Sequence, residues 1–281
     1  MTNPPAAPKL FDHAALRARL ARAERSGAER FLLETVSSDL AERLGAVLRP
    51  FDRAADIGTP LAGLCDALAG RAGTVDRVDL LASDNEDLRL APQSIELAVS
   101  ALALQFANDL PGIFAQLRRA LVPDGLFLAA MLGGDTLTEL RQSFAAAESE
   151  RDGGISPRVA PAIDVRDLGA LLQRAGFALP VTDSDRLTVR YDNAFALMRD
   201  LRRMGATNVL VERRRTPLRR ATLVRMAEIY AERFSDPDRR IRATFDILWL
   251  SGWAPHESQQ KPLRPGSAQA SLADAVKHAK R

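Results

Sequence analysis

Residues 94–132, SIELAVSALALQFANDLPGIFAQLRRALVPDGLFLAAML, decide the fold. Residues 95–99 form a short apolar run of the kind that suits a strand buried on both faces. Asp109 can cap a helix whose apolar positions are Leu110, Ile113, Phe114, Leu117, Ala120 and Leu121. Gaps of three and four lay one oily stripe against a sheet and leave Gln116, Arg118 and Arg119 outside. Pro123-Asp124-Gly125 then stops the helix and turns the chain, because proline removes a donor and glycine accepts positive φ. Residues 126–132 are a second apolar run. Two buried strands joined by a helix of this length predict a right-handed βαβ unit in a parallel sheet.

Composition bounds what surrounds this unit. With 281 residues, 46% of them hydrophobic, the chain can bury a large core as one domain or as one domain with an insert. Aromatics are only 5%, so the helices are expected to pack closely on small side chains. Lysine and arginine number 39 against 36 acidic residues, a formal +3, far from a dedicated nucleic-acid binder. One cysteine excludes an internal disulfide and a cysteine-built metal site. No run approaches the ~18 apolar residues of a membrane span. The start, MTNPPAAPKL, lacks the hydrophobic region of a signal peptide, and a cytoplasmic protein is expected.

Upstream, residues 1–10 read as a loose leader. A helix rich in arginine follows (Arg17, Arg19, Arg22, Arg25, Arg30), and then a second helix stopped by Pro50. Residues 53–57 are a strand candidate running into Asp56-Ile57-Gly58-Thr59-Pro60-Leu61-Ala62-Gly63. A strand ending in an acid, then glycine, then a helix is how α/β folds hold a nucleotide-like cofactor. Pro60 at the helix's first turn is equally an ordinary helix start. Cys65 on that helix is expected to be packed rather than reactive. Residues 78–82 can form one strand, with Asp84-Asn85-Glu86 at its carboxyl end as a ligand-facing cluster or a solvated loop.

Downstream, Gly133-Gly134-Asp135-Thr136 is read as a helix cap, and Asp164 as another. Residues 177–181 and 186–191 are extended, and residues 241–249 alternate as a last strand. Residues 192–236 read as an all-helical insert. Five arginines within residues 213–220 (Arg213, Arg214, Arg215, Arg219, Arg220) are either a solvated face or a grip on an acidic protein surface or phospholipid headgroups. His256-Glu257-Ser258 could suggest an acid–base set, but on an extended segment adjacent residues point to opposite faces. His13 and His278 lie near the termini, so no histidine-metal site is visible.

This order of elements resembles the class I S-adenosylmethionine-dependent methyltransferases. Residues 100–141, SALALQFANDLPGIFAQLRRALVPDGLFLAAMLGGDTLTELR, resemble the subfamily containing the malonyl-carrier-protein methyltransferase of biotin synthesis and mitochondrial complex I assembly factor five. The stretches SPRVAPAIDVRDLGALLQRAGFALP, LMRDLRRMGATN and ILWLSGWAPHESQQKPLRPGSA match the assembly-factor branch better. The resemblance implies a Rossmann-like α/β fold with a helical insert before the last strand. Its parts are N-terminal helices (1–50), a core (51–191), the insert (192–236) and a final strand with tail (237–281). It implies S-adenosylmethionine as cofactor, a protein substrate that is methylated or hydroxylated at arginine, and a respiratory complex I subunit as partner. Location would be the cytoplasm or the mitochondrial matrix, and the arginine-rich surface adds peripheral contact with the inner membrane face as an option. Asp56, Gly58 and Thr59 match the first cofactor motif, Asp84 and Asn85 the adenine-contacting motif, and Ser100 the strand end that faces the cofactor.

The chain departs from that pattern in three places. The glycine-rich stretch is reduced to DIGTPLAG. Asp56 and Asp84 are 84 − 56 = 28 positions apart, where on the order of twenty more are expected for a second strand, its ribose-binding acid and a helix. Gln105-Phe106 stands in place of a histidine-tryptophan pair. Either a distinct strand with a carboxylate at its end fills the gap, or the sheet is one strand short. No catalytic base or nucleophile stands out. A cofactor-free scaffold for complex I assembly and a carrier-protein or small-molecule methyltransferase are therefore the alternatives to the assembly-factor enzyme.

Overall fold

The computed structural model describes residues 9–83 and 85–260; residues 1–8, Asp84 and residues 261–281, with His278, lie outside the described residues, as does the Cys65 side chain. Sixteen segments are ordered in the chain: α1 (His13–Arg25), α2 (Phe31–Gly45), β1 (Phe51–Ile57), a 3₁₀ turn (Pro60–Ala62), α3 (Cys65–Leu68), β2 (Ala72–Val78), β3 (Ile95–Ala101), a second 3₁₀ turn (Leu104–Phe106), α4 (Leu110–Ala120), β4 (Leu121–Leu132), α5 (Thr138–Arg151), α6 (Val165–Arg174), β5 (Ala178–Tyr191), α7 (Ala194–Arg203), α8 (Arg220–Phe234) and β6 (Ile241–Trp253). They build one six-stranded sheet in the order β2-β1-β3-β4-β6-β5. Strands β2, β1, β3 and β4 run parallel, and β6 is antiparallel to both β4 and β5.

The β3–α4–β4 unit forms as its pattern predicts. Asp109 Oδ1 accepts the Gly112 N–H at 2.9 Å, and Ile113, Phe114, Leu117 and Ala120 are the buried stripe. Pro123-Asp124-Gly125 lies inside β4 as an irregularity: the register jumps from Ile95↔Leu121 to Leu97↔Leu126, and Asp124 takes φ 62°. Gln116 does not face solvent alone, because its side chain accepts from Leu88 N–H and donates to the Glu86 carbonyl.

Two apolar layers sandwich the sheet. On one face α2, α5, α7 and α8 bury Leu40, Leu44, Phe144, Leu197, Ile229 and Tyr230. On the other face α4 and α6 bury Phe114, Leu117, Leu168 and Leu172. A smaller cluster of Phe11, Leu16, Leu81, Val209 and Leu210 fastens α1 to the insert. There the backbone of Asp12 donates to Val209 at 2.8 Å, and Phe11 bridges Leu210. The insert is helical as expected, with α7 and α8 preceding β6.

Several boundaries differ from expectation. The strand expected over residues 78–82 lies earlier, as β2. It is a sheet-edge strand with four of its seven residues exposed, so its apolar signal is diluted. The helix expected after Gly58 is only a 3₁₀ turn and the four-residue α3. Thr136 does not cap α5; Leu137 does, at φ 53°, while the Thr136 hydroxyl bonds to Asp246 of β6. The two extended stretches at 177–191 are one strand, since β6 supplies a continuous partner. No strand occurs among the described residues between β2 and β3, so the sheet carries six strands and β2 is its edge.

Candidate functional site

In an open parallel sheet ligands bind beyond the carboxyl ends of the strands. Here those are the ends of β1 and β3. Asp56, Gly58, Thr59 and Ser100 do converge there, and the hydroxyls of Thr59 and Ser100 are spent between the two strands. Ser100 Oγ donates to the Ile57 carbonyl at 2.7 Å. Thr59 Oγ1 accepts the Ala101 N–H at 3.0 Å, and the Thr59 carbonyl accepts from Arg77 at 2.9 Å. Both hydroxyls therefore lock β1 to β3.

Gly58 adopts φ +71°, which an L residue rarely takes, so glycine is required by the backbone. In a cofactor cradle its missing side chain would admit the ligand. Instead the space is occupied. A Cβ built on Gly58 would lie 2.8 Å from the Leu80 Cβ and 3.3 Å from the Ala103 Cβ. Leu80 is itself buried, as are its neighbours Leu88 and Leu104. It comes from the short connection that replaces a full strand and helix, which draws the chain across the end of β1. The loop is pinned further by Asp79, whose Oδ1 accepts the Leu81 N–H at 2.8 Å, and by Arg17 of α1, which donates to the Leu81 carbonyl.

Asp56 is 2% exposed, and neither of its carboxylate oxygens has a hydrogen-bond partner among the described residues. Arg77 Nε stands 3.8 Å away. Burial pushes the Asp56 carboxyl above its usual range, opposed by Thr59 and Arg77. The sign follows: a raised folded-state value favours the protonated form, so ionised Asp56 costs stability once pH rises through that value. Asp56→Asn should therefore raise the melting temperature at pH 7, with the gain shrinking as pH falls toward 3.8, the unfolded value. Parallel melts of the two proteins from pH 4 to 8 check this.

The acidic cluster after β2 separates. Asn85 is exposed, and Asp84 lies outside the described residues. Glu86 is structural. It is 3% exposed, and its carboxylate accepts the backbone N–H of Asn108 at 2.6 Å and of Asp109 at 2.7 Å, at the start of α4. His13 Nε2 lies 3.2 Å from the same carboxylate and 3.0 Å from the Phe106 carbonyl. Thus α1 sits over the strand ends. Asp79, directly after β2, holds the position of the ribose-binding acid in dinucleotide folds, which residue spacing alone placed within the strand.

These residues do not fit adenosylmethionine as they stand. The glycine that should approach the ligand touches Leu80, both hydroxyls are used, Asp56 is sealed in, and α3 is too short to present a helix N-terminus. Among the described residues, no group of three or more His, Cys, Asp or Glu side chains could hold a metal ion.

A separate cavity of about 290 Å³ opens beside the carboxyl end of β4. Leu137, Leu140 and Phe144 form one wall, and Met198, Leu201 and Met204 the other. Gln105 and Phe106 line it too, so the substituted pair faces this cavity. Periodicity could not reveal it, because its walls come from segments far apart in the chain. In the tail, His256 Nδ1 lies 2.7 Å from Ser258 Oγ, because residues 256–259 form a turn rather than an extended segment. Both are exposed and the contact is local, and among the described residues no third group orients the imidazole.

The arginine run is largely absorbed internally. Arg213 pairs with Asp12 at 2.8 Å, and Arg214 and Arg219 converge on Asp152 at 3.3 and 3.5 Å. Arg215 and Arg220 are exposed and make no ion pair among the described residues.

Comparison with known proteins agrees with this architecture. A methyltransferase-domain family model matches residues 53–129. The chain is 38% identical over 267 residues to arginine-hydroxylase NDUFAF5, mitochondrial, of Danio rerio, covering 88% of this chain and 82% of that protein. It is 47% identical over 178 residues to the Dictyostelium discoideum protein of the same name, covering 63% of this chain but only 41% of that protein's length. A malonyl-[acyl-carrier protein] O-methyltransferase of Xylella fastidiosa is 39% identical over 176 residues, 63% of this chain and 57% of that protein. The YcgJ protein of Bacillus subtilis superposes with a TM-score of 0.52 at 12% identity, over 78% of this chain and 99% of that one, a likeness of fold alone. Extensive identity to the Danio relative, on a class I methyltransferase sheet, shows that the chain belongs to the NDUFAF5 family.

Proposed function

We propose that this protein is an NDUFAF5-type factor for assembly of respiratory complex I that acts on a protein client by binding it, without turning over adenosylmethionine. The observation that carries this reading is the contact of Leu80 with Gly58, which fills the place where backbone would meet a cofactor. Client contact would use the exposed Arg215 and Arg220 together with the α1 face. Reversing Arg213 or Arg214 would instead break packing within the protein. No helix among the described residues is long and apolar enough to cross a membrane, so any work at the inner membrane's cytoplasmic face would be peripheral.

A second reading keeps the catalytic role: an adenosylmethionine-dependent enzyme modifying a protein side chain, as the arginine-hydroxylase name of the relatives suggests. It is favoured by the buried Asp56 carboxylate, which has no hydrogen-bond partner among the described residues, and by Asp79 past β2, two acids at the places a cofactor would need them. Opening it would require Leu80 to leave Gly58.

Complementation separates the two. In cells lacking the protein, Asp56→Asn should restore complex I assembly on native gels to within about twofold of wild type. An Asp56→Asn protein that accumulates normally and restores nothing would overturn the binding-only reading in favour of the enzymatic one.

A further inference from the structure

We infer that the cavity at the carboxyl end of β4 binds a small uncharged amphiphile: an apolar chain or ring carrying one hydroxyl or amide donor. Its volume of about 290 Å³ lies at the small end of ligand sites, which run on the order of 300–1,000 Å³. Two of the chain's five methionines, Met198 and Met204, line it, and methionine adapts its shape to varied apolar surfaces.

The polar groups on the wall define the rest of the ligand. The Thr136 hydroxyl is committed to Asp246, and the Asn208 amide to the Pro157 carbonyl and the Leu210 N–H. Arg158 brings a positive charge, but Glu148, fully buried, accepts its Nε–H at 2.8 Å and cancels that charge. An anionic ligand would have to displace Glu148, and a cationic one would meet arginine. Gln105 is left. Its Nε2 donates to the Leu102 carbonyl at 2.7 Å, while its Oε1, covered by its neighbours, accepts nothing among the described residues. Buried acceptors are normally satisfied, so this oxygen calls for a donor. An apolar wall, a cancelled charge and only neutral uncommitted polar groups, one of them a buried acceptor without a partner, together select a neutral alcohol or amide. Neither Gly58 nor the residues packed against it, Leu80 and Ala103, line this cavity, so the site is distinct from the strand ends of β1.

The test uses the full chain and the neutral fluorescent amine 1-aminoanthracene. Wild type should bind the dye saturably at one site, and 1-dodecanol should displace it at about tenfold lower concentration than dodecanoate. Met198→Trp, which fills the cavity, should abolish dye binding. Gln105→Leu should weaken dodecanol about fivefold, the scale of one hydrogen bond, without weakening displacement by anthracene, which has no donor. Absence of saturable dye binding by folded wild type overturns the proposal. So does dodecanoate competing as well as dodecanol, or Gln105→Leu weakening dodecanol and anthracene equally. Should Met198→Trp fail to fold, the Gln105→Leu comparison decides alone.

Discussion

Gly58→Ala should destabilise the protein by about 3 kcal/mol, whereas Gly70→Ala should cost about 1 kcal/mol. Both glycines take positive φ, +71° and +73°, so both replacements carry the same backbone strain of about 1–2 kcal/mol. They differ in what the new methyl meets. A Cβ at Gly70 meets nothing within 4 Å among the described residues, while one at Gly58 lies 2.8 Å from the Leu80 Cβ and 3.3 Å from the Ala103 Cβ. Overpacking a core adds about 1–3 kcal/mol. In a chain of this size the Gly58 variant should melt about 6–12 °C lower. Were the cleft an open cradle, the two glycines would behave alike, so equal losses in paired urea melts would contradict the filled site.

Glu86→Ala should cost about 3–4 kcal/mol and loosen the N-terminal arm before the rest of the molecule. The carboxylate satisfies two backbone N–H groups at the start of α4 and faces His13, so its loss strands donors on both sides of one contact. Each stranded donor costs roughly 1–3 kcal/mol. Glu86→Gln keeps the shape but offers one acceptor oxygen in place of two, so an intermediate loss is expected. Limited proteolysis should cut the α1 region of Glu86→Ala at protease levels that spare wild type. A variant as stable and as resistant as wild type would show that the arm is held elsewhere, by Phe11, Leu16 and the Asp12–Arg213 pair.

The same buried acid shows where sequence reading stops. Strands β3 and β4 with α4 between them were legible, because continuous apolar runs and gaps of three and four are direct records of burial. The missing strand was legible too, as an interval of 28 residues between Asp56 and Asp84 too short for the usual elements. β2 was misplaced because an edge strand buries little: AGTVDRV offers no clear alternation. Glu86 read as a member of a solvated or ligand-facing cluster, since nothing local distinguishes an acid capping a helix more than twenty residues away. Asp56, Gly58, Thr59 and Ser100 lie together at the strand ends, but the place of Leu80 against Gly58 is a consequence of how the shortened connection packs. Leu80 itself looks like any strand leucine. The cavity left no sequence trace at all.

A shortened connection thus has a mechanical effect. Removing a strand from the edge of a class I sheet also removes the spacer that keeps the β2–β3 connection away from β1. The chain then crosses the strand ends directly, with Leu80 and Leu88 buried against them and α1 closing over the top through Arg17 and His13. The fold survives because its core lies mainly in the intact half, between α4, β4, β6 and the insert.

Calorimetric titration with S-adenosylmethionine, carried to millimolar concentration and paired with thermal melts, tests the filled cleft most directly. The structure predicts no saturable heat and no rise in melting temperature. A one-to-one isotherm with micromolar Kd, accompanied by the stabilisation of about 4 kcal/mol that a ligand confers at a thousand times its Kd, would contradict it.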